Sequence, residues 1–262
     1  MNRFPFLSGR EMDRWFLGEY ARLLPGDADA LTDETPFMGV DKKVVIAFTP
    51  RVGSTLLCQN LFRYGVFIAE FFNPVHLEAA THTPRVSTWR ALCKNLVERY
   101  AVNRVWGVKA HVQAVMPLFL ATEFPADVAD WCFVYLSREN GVRQAISQVI
   151  AEIRQSWSSW DAPKREVTDA DYSHAAIAQA IRGNRLSNEA WERFFALYGI
   201  EPLRLTYEQI IADPAAAAAR VAAHCGLKPG GQDIVQEFND PPLRSQTTAL
   251  NSAWEVRFRQ EA

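Results

Sequence analysis

This chain lacks most of the signals that announce a ligand outright. There is no Gly-x-x-x-x-Gly-Lys-Ser/Thr run, so the ordinary nucleoside-triphosphate loop is excluded. No apolar stretch approaches the roughly 20 residues of a spanning helix, and the opening MNRFPFLSGREMDRW has no continuous apolar segment. A cytoplasmic protein without a transmembrane segment is therefore the expectation. Charge of one sign is not in excess: 28 basic and 30 acidic residues leave a net charge of −2, which gives no overall pull toward nucleic acid. Cysteine is sparse. Cys58, Cys93, Cys132 and Cys225 lie far apart, form no metal-ligand pair or disulfide framework, and read as buried thiols of a reducing compartment. What remains is a chain of 262 residues, 48% of them hydrophobic, enough to bury a full core.

Within that chain the segment Lys42 to Leu56, KKVVIAFTPRVGSTL, carries the most information. Val44 to Phe48 are β-branched or apolar and predict a buried parallel strand. Thr49 to Gly53 turn the chain so that the backbone N–H groups of Gly53, Ser54 and Thr55 face outward at a helix start, which suits a phosphate or sulfate. A plain strand-to-helix connection has the same outline, so other strand ends must decide.

Further along, Met12, Trp15, Phe16, Tyr20 and Leu23 recur at helical spacing between about Arg10 and Leu24, and Pro25 to Asp41 reads as a linker. Residues 1–40 are thus expected to form an added helix and linker, and 41–262 the main domain. After the first strand the pattern predicts a helix over Thr55 to Tyr64, a loop through GVFIAEFFNP, a helix over Ser87 to Ala101, the strand RVWGVKA, a helix near Val112 to Phe119 and the strand WCFVYLS. A long helix follows from Gly141 to Ser156, then a loop or mobile lid over Trp157 to Asp171. The rest predicts a helix from Tyr172 to Tyr198, the strand PLRLT and an Ala-rich helix over Pro214 to Cys225. Strands alternating with helices mean an α/β fold with a parallel sheet flanked by helices.

Three strand ends in that sheet deliver polar clusters, and ligands of open parallel sheets bind outside the carboxyl ends of the strands. The first end supplies Arg51, Gly53, Ser54, Thr55 and Leu56, the second Lys109 and His111, and the third Arg138, with Ser147 on the helix that follows. Two arginines and a lysine converging on one edge imply a polyanionic ligand. The Arg138 guanidinium can grip a phosphate bidentately, and Ser147 can donate a hydroxyl to the same group.

The order PRVGSTLL after a strand, EFFNP, W-G-x-K, a strand ending in Ser-Arg before a long helix, TYEQIIADP and a terminal NSAWEVRFRQE resembles the sulfotransferases that use 3′-phosphoadenosine 5′-phosphosulfate (PAPS), in particular the bacterial trehalose 2-sulfotransferase-like branch. The resemblance runs from about Val44 to the C-terminus. It implies a P-loop-like sulfotransferase fold, PAPS as donor with the 3′,5′-bisphosphate as product, and no metal. It puts the 5′-phosphosulfate on Arg51, Gly53, Ser54 and Thr55, the 3′-phosphate on Arg138 and Ser147, and adenine near Tyr207. Arg244 and Gln246, in LRSQTT, match the branch's terminal cofactor loop, although Ser245 separates them where the branch has them adjacent.

Glu70 is the expected general base. It lies in the apolar run IAEFF, where desolvation is expected to raise its pKa into the working range, and the branch carries a glutamate there. His111 is the rival base, two residues beyond Lys109 and so on the same face of an extended strand. Arg51, the loop amides and Lys109 are expected to stabilise charge during in-line transfer, so Arg51, Lys109, Glu70 and His111 form the candidate catalytic set. Two departures bear on specificity. Val52 replaces a serine of the loop, and the chain runs from Gly65 to Glu70 without the branch's Gly-x-Pro segment, which points away from trehalose and toward another small-molecule hydroxyl, carbohydrate or natural product. Phe67, Phe71, Phe72, Trp157 and Trp160 are expected to give its pocket aromatic surfaces. A small-molecule kinase and a non-catalytic nucleotide-binding protein are the rival functions, and a homodimer is left open.

Overall fold

The computed structural model describes residues 4–7, 11–23, 36–78, 86, 88–121, 128–230 and 243–261. Five parallel strands form one sheet: β1 (Lys42–Ala47), β2 (Ile68–Ala69), β3 (Val105–Ala110), β4 (Trp131–Ser137) and β5 (Leu203–Thr206), in the order β2-β3-β1-β4-β5. The helices are α1 (Glu11–Leu23), α2 (Ser54–Leu61), α3 (Pro74–Glu78), α4 (Trp89–Tyr100), α5 (Met116–Ala121), α6 (Gly141–Arg154), α7 (His174–Tyr198), α8 (Tyr207–Ala212), α9 (Pro214–Cys225) and α10 (Ala249–Glu261). This is the expected α/β architecture. No helix among the described residues is long and apolar enough to cross a membrane.

The strand alternation sorts side chains onto two apolar faces. Val45, Ala47, Trp106, Val108, Phe133 and Tyr135 point to one face, where they meet Phe16 and Tyr20 of α1, Leu92 and Leu96 of α4, and Trp191, Phe194 and Phe195 of α7. Val44, Ile46, Val134, Leu136 and Leu205 point to the other, against Leu57 and Leu61 of α2, Ile210 of α8 and the alanines of α9. A smaller cluster joins α6, α7 and α10 through Ile146, Ile177, Trp254 and Phe258. On the expected apolar face of α1, Phe16 and Tyr20 are buried, while Met12 and Trp15 are exposed. Most of the expected linker lies outside the described residues.

Three short elements, β2, α3 and α8, were absent from the sequence pattern. β2 occupies two residues of the segment read as a loop, and it reaches β3 because Gly107 has no side chain: a Cβ there would stand 2.7 Å from Cγ1 of Ile68. α8 starts on a capping box in which the Thr206 hydroxyl accepts from the Gln209 N–H and the Gln209 side chain accepts from the Thr206 N–H.

The cysteine expectation needs correction. Cys132 on β4 and Cys225 at the end of α9 form a disulfide with Cα atoms 5.5 Å apart, while Cys58 and Cys93 are the buried free thiols. Bridging residues 93 positions apart constrains the unfolded chain and is worth about 2–4 kcal/mol. Reduction is expected to lower the wild-type stability by about that amount and to leave Cys132→Ser unaffected. Urea denaturation with and without reductant measures both; an equal response of the two proteins would contradict the bridge.

Candidate active site

The three polar strand ends meet as expected. The turn after β1 is set from below: Gln144 of α6 donates to the Thr49 hydroxyl at 2.9 Å and to the Pro50 carbonyl at 2.8 Å, and Trp191 of α7 donates to the Phe48 carbonyl at 3.3 Å. Val52 is fully buried beneath the turn. Arg51 and Gly53 both take positive φ, 65° and 78°. At Gly53 a Cβ would also stand 3.2 Å from the Tyr207 ring, so glycine is required both for the turn and for the approach of Tyr207. Gly53 is the N-cap of α2 and provides no side-chain cap, so the first N–H groups of the helix are left to a ligand or solvent.

Above this turn is a cavity of about 390 Å³. It is lined by Arg51, Gly53, Ser54, Thr55 and Leu56 from the first strand end, Arg138 and Ser147 from the third, Tyr207 of α8, Trp157 to Ser159, and Leu243 to Thr247. Every residue expected to hold the donor therefore faces one space. Three of these residues are arginines, and no acidic side chain is among the described residues lining it. Burial, and then the charge of Arg138, lower the Arg51 pKa; burial likewise comes first in lowering that of Arg138. Two desolvated guanidinium groups thus face one cavity, and the charge of Arg138 acts on Arg51.

Their present contacts differ in detail from the expected pairing. Ser147 accepts from Nε of Arg51 at 2.9 Å, and Arg51 also donates to the Trp157 carbonyl at 2.5 Å and to Oε1 of Gln246 at 2.7 Å. Arg138 donates to the Arg51 carbonyl at 3.1 Å and lies 4.0 Å over the Tyr207 ring, and its Nε is buried with no hydrogen-bond partner. The segment read as a lid is tied to the C-terminal strap: Gln246 donates to the Ser158 carbonyl at 2.8 Å, and the Arg244 N–H to the Ser159 hydroxyl at 3.0 Å. The strap is anchored by α10, where buried Glu255 accepts from Asn140 and Arg143 at the start of α6.

Glu70, Lys109 and His111 make a second group beside the first. In the parallel register Ala69 of β2 is opposite Val108 of β3, so the next residues, Glu70 and Lys109, come side by side. Lys109 donates to the Thr55 hydroxyl at 2.8 Å and pairs with Glu70 at 3.0 Å, and it lies 5.4 Å from the Phe48 ring centroid. His111 Nε2 is 4.0 Å from Glu70, with its ring 4.4 Å from Phe48 and 6.4 Å from Phe16. Burial is the first influence on the His111 pKa and lowers it. Thr55 belongs to both groups and joins them.

Two expectations fail here. The Glu70 pKa is not raised: desolvation does push it up, but Lys109, His111 and a hydrogen bond from Asn73 outweigh burial and hold it at about 2. Phe67, Phe71 and Phe72 do not line this cavity; all three are packed in the core against Tyr100 and Trp106. Trp157 does reach the cavity. Gln144 was not singled out from the sequence, since with Arg143 before it and Ser147 and Gln148 one turn on nothing local marks it as buried.

The model of the Stf0 sulphotransferase family matches residues 43–261. Trehalose 2-sulfotransferase of Mycobacterium tuberculosis (strain ATCC 35801 / TMC 107 / Erdman) is 32% identical over 130 residues, which are 50% of this chain and 46% of that protein. The chain thus matches about half the length of this curated relative. Among solved structures, retinol dehydratase in a complex with retinol and PAP superposes with a TM-score of 0.47 at 13% identity, covering 95% of this chain and 85% of that one. The sulfotransferase domain of the Synechococcus PCC 7002 olefin synthase gives 0.43 at 14%, covering 87% and 90%.

The depressed Glu70 pKa has a pH signature. A carboxyl lowered from 4.5 to about 2 contributes stability that is fully present above the unfolded value and is lost as pH falls through the folded one. Glu70→Gln is therefore expected to be less stable than wild type at pH 7, with the difference shrinking between about pH 4.5 and pH 2. Urea unfolding across that window tests it, and a pH-independent difference would count against the ion pair.

Proposed function

The chain belongs to the Stf0 sulphotransferase family, and on that premise we propose that it transfers a sulfuryl group from PAPS to a hydroxyl of a small-molecule acceptor, without a metal. The observation that supports this most is the cavity with three arginines and no carboxylate among its described lining, joined through Thr55 to a lysine–glutamate pair. A nucleotide-binding module has a use for the first half of that arrangement and none for the second.

When bound, PAPS supplies the sulfuryl group on its 5′-phosphate together with an anionic 3′-phosphate. The residues present fit such a group: the orphaned Nε of Arg138, the uncapped start of α2 and the depressed arginine pKa values all call for anionic oxygens. Arg51, Leu56 and the amides of Gly53, Ser54 and Thr55 would hold the 5′ side, with Arg138 and Ser147 on the 3′-phosphate. Tyr207, Arg244 and Gln246 would close around the nucleoside. Binding would require Arg51 to exchange its contacts with Ser147, Gln246 and the Trp157 carbonyl for phosphate oxygens.

Lys109 couples charge stabilisation to proton removal. Its ammonium is shared between Thr55, on the anion loop, and Glu70. Drawn toward an anion on that loop, it withdraws the main counter-charge from Glu70. The desolvation already acting on the carboxyl then raises its pKa, so that Glu70 becomes a competent base where the acceptor hydroxyl must lose its proton. His111, neutral near pH 7 because burial lowers its pKa, lies next to Glu70 and can take the proton in its place or after it. The acceptor is a small hydroxylated molecule, carbohydrate or natural product.

Adenosine 3′,5′-bisphosphate is expected to bind at least roughly tenfold more tightly than 5′-AMP, the loss typical of a missing charge-assisted contact. Calorimetry measures both, and equal affinities would remove the 3′-phosphate assignment. In a transfer assay, Glu70→Gln should lose about 10²- to 10⁴-fold in rate with the bisphosphate affinity nearly unchanged. Lys109→Ala should lose rate and also weaken donor binding. A dead His111→Ala beside an active Glu70→Gln would move the base to the histidine.

A further inference from the structure

α1 lies outside residues 43–261, the part of the chain that matches the family, yet it reaches both turns that carry the candidate bases. Tyr20 donates its buried hydroxyl to the Phe72 carbonyl at 2.7 Å. That carbonyl belongs to the peptide ahead of Asn73, whose N–H donates to the Glu70 carbonyl at 3.0 Å and whose side chain donates to Glu70 Oε2, also at 3.0 Å. Two turns earlier on α1, Asp13 accepts from Nε2 of Gln113 at 2.8 Å. Gln113 sits in the short turn Val112–Val115 that His111 caps, and the Ala114 N–H donates back to the His111 carbonyl at 2.8 Å. Between these two ties, Phe16 packs on the His111 ring.

Asp13 and Gln113 are both nearly inaccessible, at 4% and 5% exposure. Burying a carboxylate and an amide to hold a surface helix is costly compared with an apolar contact, and the chain has apolar contacts available there through Phe16 and Tyr20. The polar tie adds direction where packing alone would not. It fixes which way the His111 turn faces, as the Tyr20 tie fixes the Phe72 peptide and, through Asn73, the orientation of the Glu70 carboxylate.

We propose that α1 is a positioning helix for proton removal, with Tyr20 setting Glu70 through the Phe72 carbonyl and Asn73, and Asp13 setting His111 through Gln113. The proposal rests on the sulfuryl-transfer reading for its purpose, although the ties can be tested without any acceptor. The charged groups facing His111 are Glu70 from the turn after β2 and Lys109 from β3, and Glu70 is also within the field of His76. Tyr20→Phe removes no charge, and Asp13→Ala and Asp13→Asn remove the same one, so the difference between those two reports the geometry of the Gln113 tie.

The experiment uses the full chain carrying Tyr20→Phe, Asp13→Ala or Asp13→Asn, with carboxyl and imidazole titrations followed by NMR and assigned through Glu70→Gln and His111→Gln. Binding of adenosine 3′,5′-bisphosphate is measured on the same samples. Tyr20→Phe, which keeps the packing and removes one hydroxyl, is expected to raise the Glu70 midpoint by about one pH unit, tenfold in proton affinity. Asp13→Ala is expected to raise the His111 midpoint toward its ordinary value, and Asp13→Asn, which can still accept from Gln113, to restore it. Bisphosphate affinity should stay within about twofold in all three, well under the tenfold that 1.4 kcal/mol represents. Midpoints unchanged in both Tyr20→Phe and Asp13→Ala would overturn the proposal, as would equal effects of Asp13→Ala and Asp13→Asn. Should the wild type fail to bind the bisphosphate, the sulfuryl-transfer reading falls, while the midpoints still decide what α1 does.

Discussion

The site is organised around one buried ammonium. Lys109 projects from β3 to the α2 face of the sheet and is only 8% exposed. Taking such a charge out of water costs several kcal/mol unless partners replace the lost hydration. Thr55 and Glu70 are those partners, the first at the head of α2 and the second just past β2. The requirement to satisfy one cation therefore fixes the relation between the anion loop and the carboxylate. It also explains why a glutamate in an apolar stretch is ionised at every ordinary pH. The Phe48 ring lies under the Lys109 ammonium and against the His111 ring, so these two groups share one aromatic floor.

Much of the fold could be read from the chain because the signals were local. The buried run VVIAF and the alternation of strands with helices each depend on neighbours within a few residues. The convergence of Arg51, Lys109 and Arg138 was also legible, since a parallel sheet puts successive strand ends on one edge. What escaped was non-local. Cys132 and Cys225 meet only because α9 packs across β4, and no spacing rule links residues so far apart. Glu70 is desolvated, as its aromatic sequence neighbours suggest, yet its pKa is held low. Those rings turn into the core, and the residue that governs its charge arrives from another strand.

The arginines of the cavity and Glu70 differ in how firmly they are held. Arg51 is satisfied by a serine, a glutamine and a carbonyl, all neutral, and its like-charged neighbour Arg138 stands close enough to lower its pKa. These are exchangeable contacts, suited to a site that must release them for a ligand. Glu70 is held by a full ion pair, an amide hydrogen bond and a turn pinned from α1. The arginine cavity is thus held by neutral contacts, and Glu70 by a charged one.

The brevity of β2 has a consequence beyond the site. An edge strand with a long row of free N–H and C=O groups is a template for pairing with another chain. Here one edge is two residues long and the other, β5, four. Neither offers enough register for a second molecule to add a stable strand. A parallel sheet rich in Val, Ile and Phe would otherwise be an aggregation hazard whenever its flanking helices opened. The same truncation that lets the chain leave the sheet at Glu70 also leaves colliding copies little to zip onto.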